Sequence, residues 1–171
     1  MSTLFAFRAA AMDDFENSTV TNVSFASPYC GDLEFRKEFC KLEKANRIRH
    51  LRVSNDGDDV TLFPPVTFPI PKERYRHTGM NIRLYGTSQI LKPKYRIFYP
   101  KENSVTTEIR NAIVSNFLTG LSVGVISKHL CPEYSERLDS AEDKLETITL
   151  EGLYSDNYIT GWAENEEVGE N

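Results

Sequence analysis

The stretch "MNIRLYGTSQILKPKYRIFY", residues 80–99, contains two runs in which apolar and polar residues alternate as they do in β-strands. Met80, Ile82 and Leu84 share one face of the first run, and Tyr95 and Ile97 share one face of the second. We predict that the two runs pair in an antiparallel sheet with one apolar face. Proline at position 93 would place the second run at a sheet edge or at a bulge.

The same alternation turns a row of cations away from the core. The predicted set, which we call the basic face, consists of Arg83, Lys92, Lys94, Arg96 and Lys101. Aromatic residues lie between these cations, a composition that suits an anionic lipid surface or single-stranded nucleic acid. A second interpretation is that lysine on an exposed edge strand only discourages unwanted pairing.

Helical periodicity flanks the predicted strands. Asp32 is placed as the N-cap of an amphipathic helix over residues 32–46, and similar patterns cover 104–120 and 134–148. The run "IRHLRVSNDGDDVTLF", residues 48–63, predicts a hairpin that turns at 55–58. The fold class is therefore predicted as α+β, an antiparallel sheet packed by one or two amphipathic helices. Residues 1–30 are expected to be a flexible arm, 31–162 a single domain, and 163–171 a disordered acidic tail.

Charge is sorted along the chain of 171 residues, although the net charge is only −5. Residues 1–35 carry a net charge of −4, residues 36–110 carry +8, and residues 111–171 carry −9. A basic middle with acidic flanks can attract phosphate-bearing partners or the acidic end of another copy of the chain. Equally, the segments can neutralise one another within one monomer.

The sequence predicts neither an enzyme nor a cofactor. The histidines and cysteines are spaced too widely for an ordinary zinc site, and the phosphate-binding and nucleophile-elbow motifs are missing from the sequence. Asp58 and Asp59 fall in a predicted turn, where aspartate is expected for backbone reasons. His50 and His77 have no carboxylate or nucleophile partner in the sequence pattern, and no metal site is expected.

The segment "KYRIFYPKENSVTTEIRNAIVSNFLTG", residues 94–120, resembles the core of rhabdovirus matrix proteins, and the chain length resembles the small matrix proteins of plant cytorhabdoviruses. The resemblance implies a non-enzymatic virion protein that self-associates and links the nucleocapsid to an anionic membrane, located in the host cytoplasm and in the virion. The acidic N-terminus departs from the lysine-rich arm of the animal-virus proteins. Four further residues, Phe63, Pro64, Pro65 and Val66, look like a late-domain motif that would bind a host protein.

Two alternatives remain open from the sequence. A small viral RNA-binding or movement-type accessory protein would use the basic face and its aromatic residues to bind single-stranded RNA. An adaptor would bind a partner protein through the proline-rich segment at 62–72, because a pre-extended segment loses less entropy on docking.

Overall fold

The computed structural model describes residues 1–62, 76–86, 93–100 and 127–154. The described α-helices are Ser2–Ala10 (α1), Leu33–Lys44 (α2), Cys131–Leu145 (α3) and Leu150–Leu153 (α4). The described strands are Val20–Phe25 (β1), Ile48–Asn55 (β2), Met80–Leu84 (β3) and Tyr95–Phe98 (β4). Short 3₁₀ helices cover Asp13–Phe15 and Asp59–Leu62.

The four strands form one mixed sheet in the order β1-β2-β3-β4. β1 is parallel to β2 and β2 is parallel to β3, while β4 runs antiparallel to β3. The structure confirms a mixed α and β protein, but the expected antiparallel pairing holds only for β3 and β4. The parallel pairing of β1 and β2 follows from the helix between them, because parallel neighbours need a crossover connection.

The predicted hairpin at 48–63 is wrong. β2 runs without interruption to Asn55, and Gly57 then adopts a φ of +79° before the chain enters the 3₁₀ helix. The turn does contain a residue with a positive φ, but this residue follows the end of β2, a strand in the centre of the sheet, and does not form a hairpin. The helix predicted at 32–46 is confirmed as α2, and the carboxylate of Asp32 accepts a hydrogen bond of 2.8 Å from the Phe35 amide.

The two faces of the sheet differ in chemistry. The face that we call the apolar face packs against α3 and α4, and its core contains Val53, Ile82, Leu84 and Met80. The opposite side, which we call the polar face, carries buried hydrophilic side chains in register across the strands: Asn22, Ser24, His50, Arg52, Ser54 and Asn81. One end of the polar face is covered by α1 and α2.

Residues 1–30, expected to be a flexible arm, instead contain α1 and β1. Ala6 and Ala10 of α1 are buried against Phe39 of α2 and Ile48 of β2. Small alanine side chains allow the helix to approach closely, which the acidic composition of the segment did not indicate. The helix predicted at 104–120 and the tail at 163–171 lie outside the described residues.

Candidate active site

Asp58 is held in a tight turn directly after the carboxyl end of β2. Its amide donates to the Asn55 carbonyl over 3.1 Å, and its carboxylate accepts the Val60 amide over 3.1 Å. The residue is only 3 % exposed. Because ligand sites of parallel sheets lie at the carboxyl ends of the strands, this turn is where chemistry is expected.

His129 faces this carboxylate from a segment 71 residues further along the chain. Its Nδ1 lies 3.2 Å from Oδ1 and 3.1 Å from Oδ2 of Asp58. A carboxylate only accepts hydrogen bonds, so Nδ1 must carry the proton and, in the neutral ring, Nε2 is left as the basic atom. The His129 side chain is 35 % exposed while that of Asp58 is fully buried, so the ring extends from a buried anchor toward the surface.

Two contacts hold the His129 segment against the sheet. The Asn55 side-chain amide donates to the Lys128 carbonyl over 2.8 Å. In α3, the Arg137 guanidinium donates to the carbonyls of Leu84 and Asp56 over 3.1 and 3.2 Å, and it pairs with Glu133 at 2.6 Å. The ends of β2 and β3 are therefore tied to the helix that follows His129.

A third side chain completes the surroundings of Asp58. The Tyr134 hydroxyl donates to Asp58 Oδ2 over 2.8 Å and accepts the Asn55 amide over 3.1 Å. Burial raises the pKa of Tyr134 above its ordinary range, and the hydrogen bond and charge of Asp58 add to that rise. The phenol therefore stays protonated and keeps its donor at neutral pH.

A mainly apolar pocket of about 570 Å³ opens beside His129. Phe25, Ala26 and Pro28 line it from the end of β1 and the loop after it, Val60 from the turn after β2, and Tyr134 and Leu138 from α3. It thus lies at the carboxyl edge of the parallel strands, with the imidazole in its wall. Such a pocket suits an apolar group attached to a polar reacting centre.

The start of α1 lies near the loop that follows β1. Burial raises the pKa of the Cys30 thiol in this loop, and the side chains of Thr78 and Thr3 and the charges of Arg52 and the Met1 amino group oppose that rise. The first turn of α1 is therefore a neighbour of Cys30.

The other two histidines are placed differently. His50 and His77 are buried, and burial together with the charge of Arg52 lowers the pKa of both, that of His50 to about 3. Among the residues that the structure describes, their ring nitrogens contact Ser24, Thr78 and Arg52 and no carboxylate. Both are neutral structural groups of the polar face.

The predicted basic face is only partly assembled. Arg83 and Arg96 are opposite one another on β3 and β4, and the Arg83 guanidinium lies 5.1 Å from the centre of the Phe98 ring. Both arginines are half-buried, and the Lys94 amine donates to the Ser140 carbonyl in α3, which packs on the other side of the sheet. Lys94 does not share the surface of the arginines, because it precedes the first residue of β4 and escapes the strand's alternation. Lys92, Lys101, Phe63, Pro64, Pro65 and Val66 lie outside the described residues.

The described parts of the chain contain no group of three or more histidine, cysteine, aspartate or glutamate side chains that could hold a metal ion. Among the helices described above, none combines the length and apolar character that crossing a membrane requires.

Comparison with known protein families points to a hydrolase. The model of the family Lipase (class 3) matches residues 1–68, a segment that includes α1, the strands β1 and β2, and Asp58. Neither the curated proteins nor the solved structures contain a match to the chain.

This match contradicts the resemblance to rhabdovirus matrix proteins and the non-enzymatic virion role inferred from it. It gives the RNA-binding alternative no support. The prediction that the chain is not an enzyme is also wrong, since the matched family consists of lipases. No finding tests the predicted partners (self, nucleocapsid or RNA, anionic membrane, host protein) or the predicted location, which stay predictions.

The sequence reasoning considered Asp58 and His129 separately and missed them as a pair. The sequence pattern accounts for Asp58 as a turn residue, and the spacing of the histidines and cysteines indicates only that no ordinary zinc site is expected. One signal was present in the sequence: an aspartate, Asp58, three residues after the run Ile48–Asn55, and a histidine, His129, further along the chain. This is the chain order of acid and base in α/β-hydrolases.

Proposed function

We propose that this chain carries the acid and base of a lipase-type ester hydrolase, with Asp58 as the acid and His129 as the base. The observation that carries the proposal is the pairing of a buried carboxylate with His129 Nδ1 at 3.1–3.2 Å, at the carboxyl edge of a parallel sheet. The match to Lipase (class 3) over residues 1–68 supports it independently of that geometry.

The two residues would act as in the general serine-hydrolase scheme. Nε2 of His129 takes the proton of a nucleophilic hydroxyl as its oxygen attacks the ester carbonyl. The same proton then passes to the leaving alcohol as the carbon–oxygen bond breaks, and water hydrolyses the acyl intermediate by the same steps. Asp58 keeps the proton on Nδ1 and stabilises the imidazolium that forms in each step.

In α/β-hydrolases the nucleophile comes before the acid in the chain and stands at the turn that leads into a helix. The start of α1 precedes Asp58 and begins a helix near Cys30 in the loop after β1. Within the described residues, the hydrogen bonds of His129 go to Asp58 alone. We therefore expect the nucleophile in or next to the first turn of α1.

The test is hydrolysis of p-nitrophenyl butyrate by the chain, produced with any residues that its gene encodes before Met1, in the wild type, Asp58→Asn and His129→Ala. We expect kcat to fall about 10⁴-fold for Asp58→Asn and about 10⁶-fold for His129→Ala, as when the acid or the base of a triad is removed. A fluorophosphonate probe and peptide mass spectrometry should locate the nucleophile. An inactive wild type that the probe does not label, or variants as active as the wild type, would refute the proposal.

A further inference from the structure

The hydroxyl of Tyr134 has its hydrogen bonds fixed by its surroundings. A phenol carries a single proton, and this oxygen already accepts the Asn55 amide. The proton is therefore directed at Asp58 Oδ2, 2.8 Å away. Because Tyr134 is only 6 % exposed, water does not compete for this bond.

Tyr134 and a backbone amide together fix the plane of the Asp58 carboxylate. The Val60 amide donates to Oδ1, the Tyr134 hydroxyl donates to Oδ2, and both oxygens lie within 3.2 Å of His129 Nδ1. With only one of these donors the carboxylate could rotate about its bond to Cβ. With both, the lone pairs that face His129 stay in place.

The ring of the same tyrosine belongs to the pocket. It lines the cavity beside His129 and contacts Phe25 edge to face, with ring centres 6.0 Å apart and planes at 84°. A group that fills the pocket therefore packs on the ring whose hydroxyl holds Asp58. Tyr134 and His129 both line the pocket and both bond Asp58.

We propose that Tyr134 is a positioning residue that couples occupation of the apolar pocket to the Asp58–His129 pair. The inference rests on the proposed hydrolase function and deepens it. An apolar acyl group in the pocket restrains the Tyr134 ring, and the restrained hydroxyl holds Asp58 in the orientation that His129 needs. Removal of the hydroxyl affects turnover, whereas removal of the neighbouring wall affects substrate binding.

Tyr134→Phe removes the hydroxyl and keeps the ring. We expect kcat for p-nitrophenyl butyrate to fall about tenfold, the effect of one hydrogen bond to a charged group, while KM stays within about twofold. Phe25→Ala, which removes part of the pocket wall and the edge-to-face contact with the Tyr134 ring but keeps the Tyr134 hydroxyl, should raise KM more than it lowers kcat. Tyr134→Phe with unchanged kcat would overturn the inference.

Tyr154→Phe is the matched control. The Tyr154 hydroxyl also accepts a backbone amide, that of His50 at 2.8 Å, and its proton has two acceptors, the His50 carbonyl at 2.5 Å and the Glu43 carboxylate at 3.1 Å. It is buried and does not line the pocket, so its loss should leave kcat within about twofold. An equal fall in kcat for both variants would show a general loss of stability and would overturn the role of Tyr134.

A measurement without turnover separates this inference from the proposed function. The Nδ1 proton of His129 gives a downfield NMR resonance when it is bonded to a carboxylate. Tyr134→Phe removes one of the two donors that orient Asp58, so this resonance should shift, and Tyr154→Phe should leave it in place. An unmoved resonance in Tyr134→Phe would refute the positioning role. If Asp58→Asn and His129→Ala keep full activity, the hydrolase proposal fails. If the His129 resonance nevertheless moves in Tyr134→Phe, the contact between Tyr134 and His129 through Asp58 stands.

Discussion

Oδ2 of Asp58 lies 3.1 Å from Nδ1 of His129, although 71 residues separate them. The two side chains differ in their surroundings, since the carboxylate is fully buried and the imidazole is 35 % exposed. This asymmetry gives the pair a rigid anchor and an accessible base. It also separates what each residue contributes to stability from what it would contribute to activity.

Asp58→Ala should destabilise the fold far more than His129→Ala. The first substitution leaves the Tyr134 hydroxyl and the Val60 amide without an acceptor, which should cost about 3 kcal/mol in the free energy of unfolding. The second removes a partly exposed ring and should cost about 1 kcal/mol. Urea unfolding followed by circular dichroism measures both. Equal losses would contradict the view of Asp58 as a structural anchor.

Gly57→Ala tests the turn that carries Asp58. Gly57 has a φ of +79°, where alanine is strained by about 1–2 kcal/mol and asparagine by less. We expect the midpoint of urea unfolding to fall in Gly57→Ala and to fall less in Gly57→Asn. Because the strain moves the neighbouring Asp58, ester hydrolysis should decrease in the same order. A stability for Gly57→Ala equal to that of the wild type would rule out the strained turn.

Arg137→Met tests the tie between α3 and the ends of β2 and β3. The guanidinium is buried, and it donates to the carbonyls of Leu84 and Asp56 as well as to Glu133. Methionine keeps most of the side-chain volume but leaves both carbonyls without this donor, so we expect a loss of about 3 kcal/mol in the free energy of unfolding. Lys37→Met removes an exposed ion pair with Glu34 and should change it by less than about 0.5 kcal/mol.

The sequence predicts those elements of the fold that are determined by interactions between residues close together in the chain. The helix at α2 follows from its own periodicity and from the carboxylate of Asp32, three residues before the amide that it caps, and the prediction was right. The pairing of β1 with β2 depends on residues about 28 positions apart, such as Val20 and Ile48. The alternation of apolar and polar residues along one strand does not indicate which other strand it pairs with.

The candidate site, too, could be predicted from the sequence only where its residues interact with near neighbours in the chain. The turn interpretation of Asp58 was correct as far as it went, since the carboxylate does accept a nearby backbone amide. The same carboxylate also holds His129 and Tyr134, whose proximity depends on the packing of α3 across the sheet. Because the turn already explains an aspartate at position 58, the local sequence does not indicate that the same carboxylate also contacts His129 and Tyr134.

Glu43→Gln should remove part of the pH dependence of stability. Burial raises the pKa of Glu43 to about 7, although the Tyr99 and Tyr154 hydroxyls donate to its carboxylate and the charge of Arg36 also opposes the rise. The ordinary pKa of 4.5 holds in the unfolded chain. Between these two values the folded state binds the proton that the unfolded state has lost. The stabilising contribution is therefore complete below pH 4.5 and disappears as the pH rises through about 7, a change of about 3 kcal/mol.

Glutamine resembles the protonated carboxyl and does not titrate, so the variant should lose less stability than the wild type between pH 4.5 and 7. His50 acts in the opposite direction, because its pKa is lowered to about 3 and its contribution is lost as the pH falls below 6.5. When the free energy of unfolding of Glu43→Gln is subtracted from that of the wild type at each pH, the contributions of His50 and of every other group common to both chains cancel. Urea unfolding at several pH values should give a difference that changes by about 3 kcal/mol across this window. A difference independent of pH would mean that Glu43 is ionised in the folded protein and that the two tyrosine hydroxyls outweigh its burial.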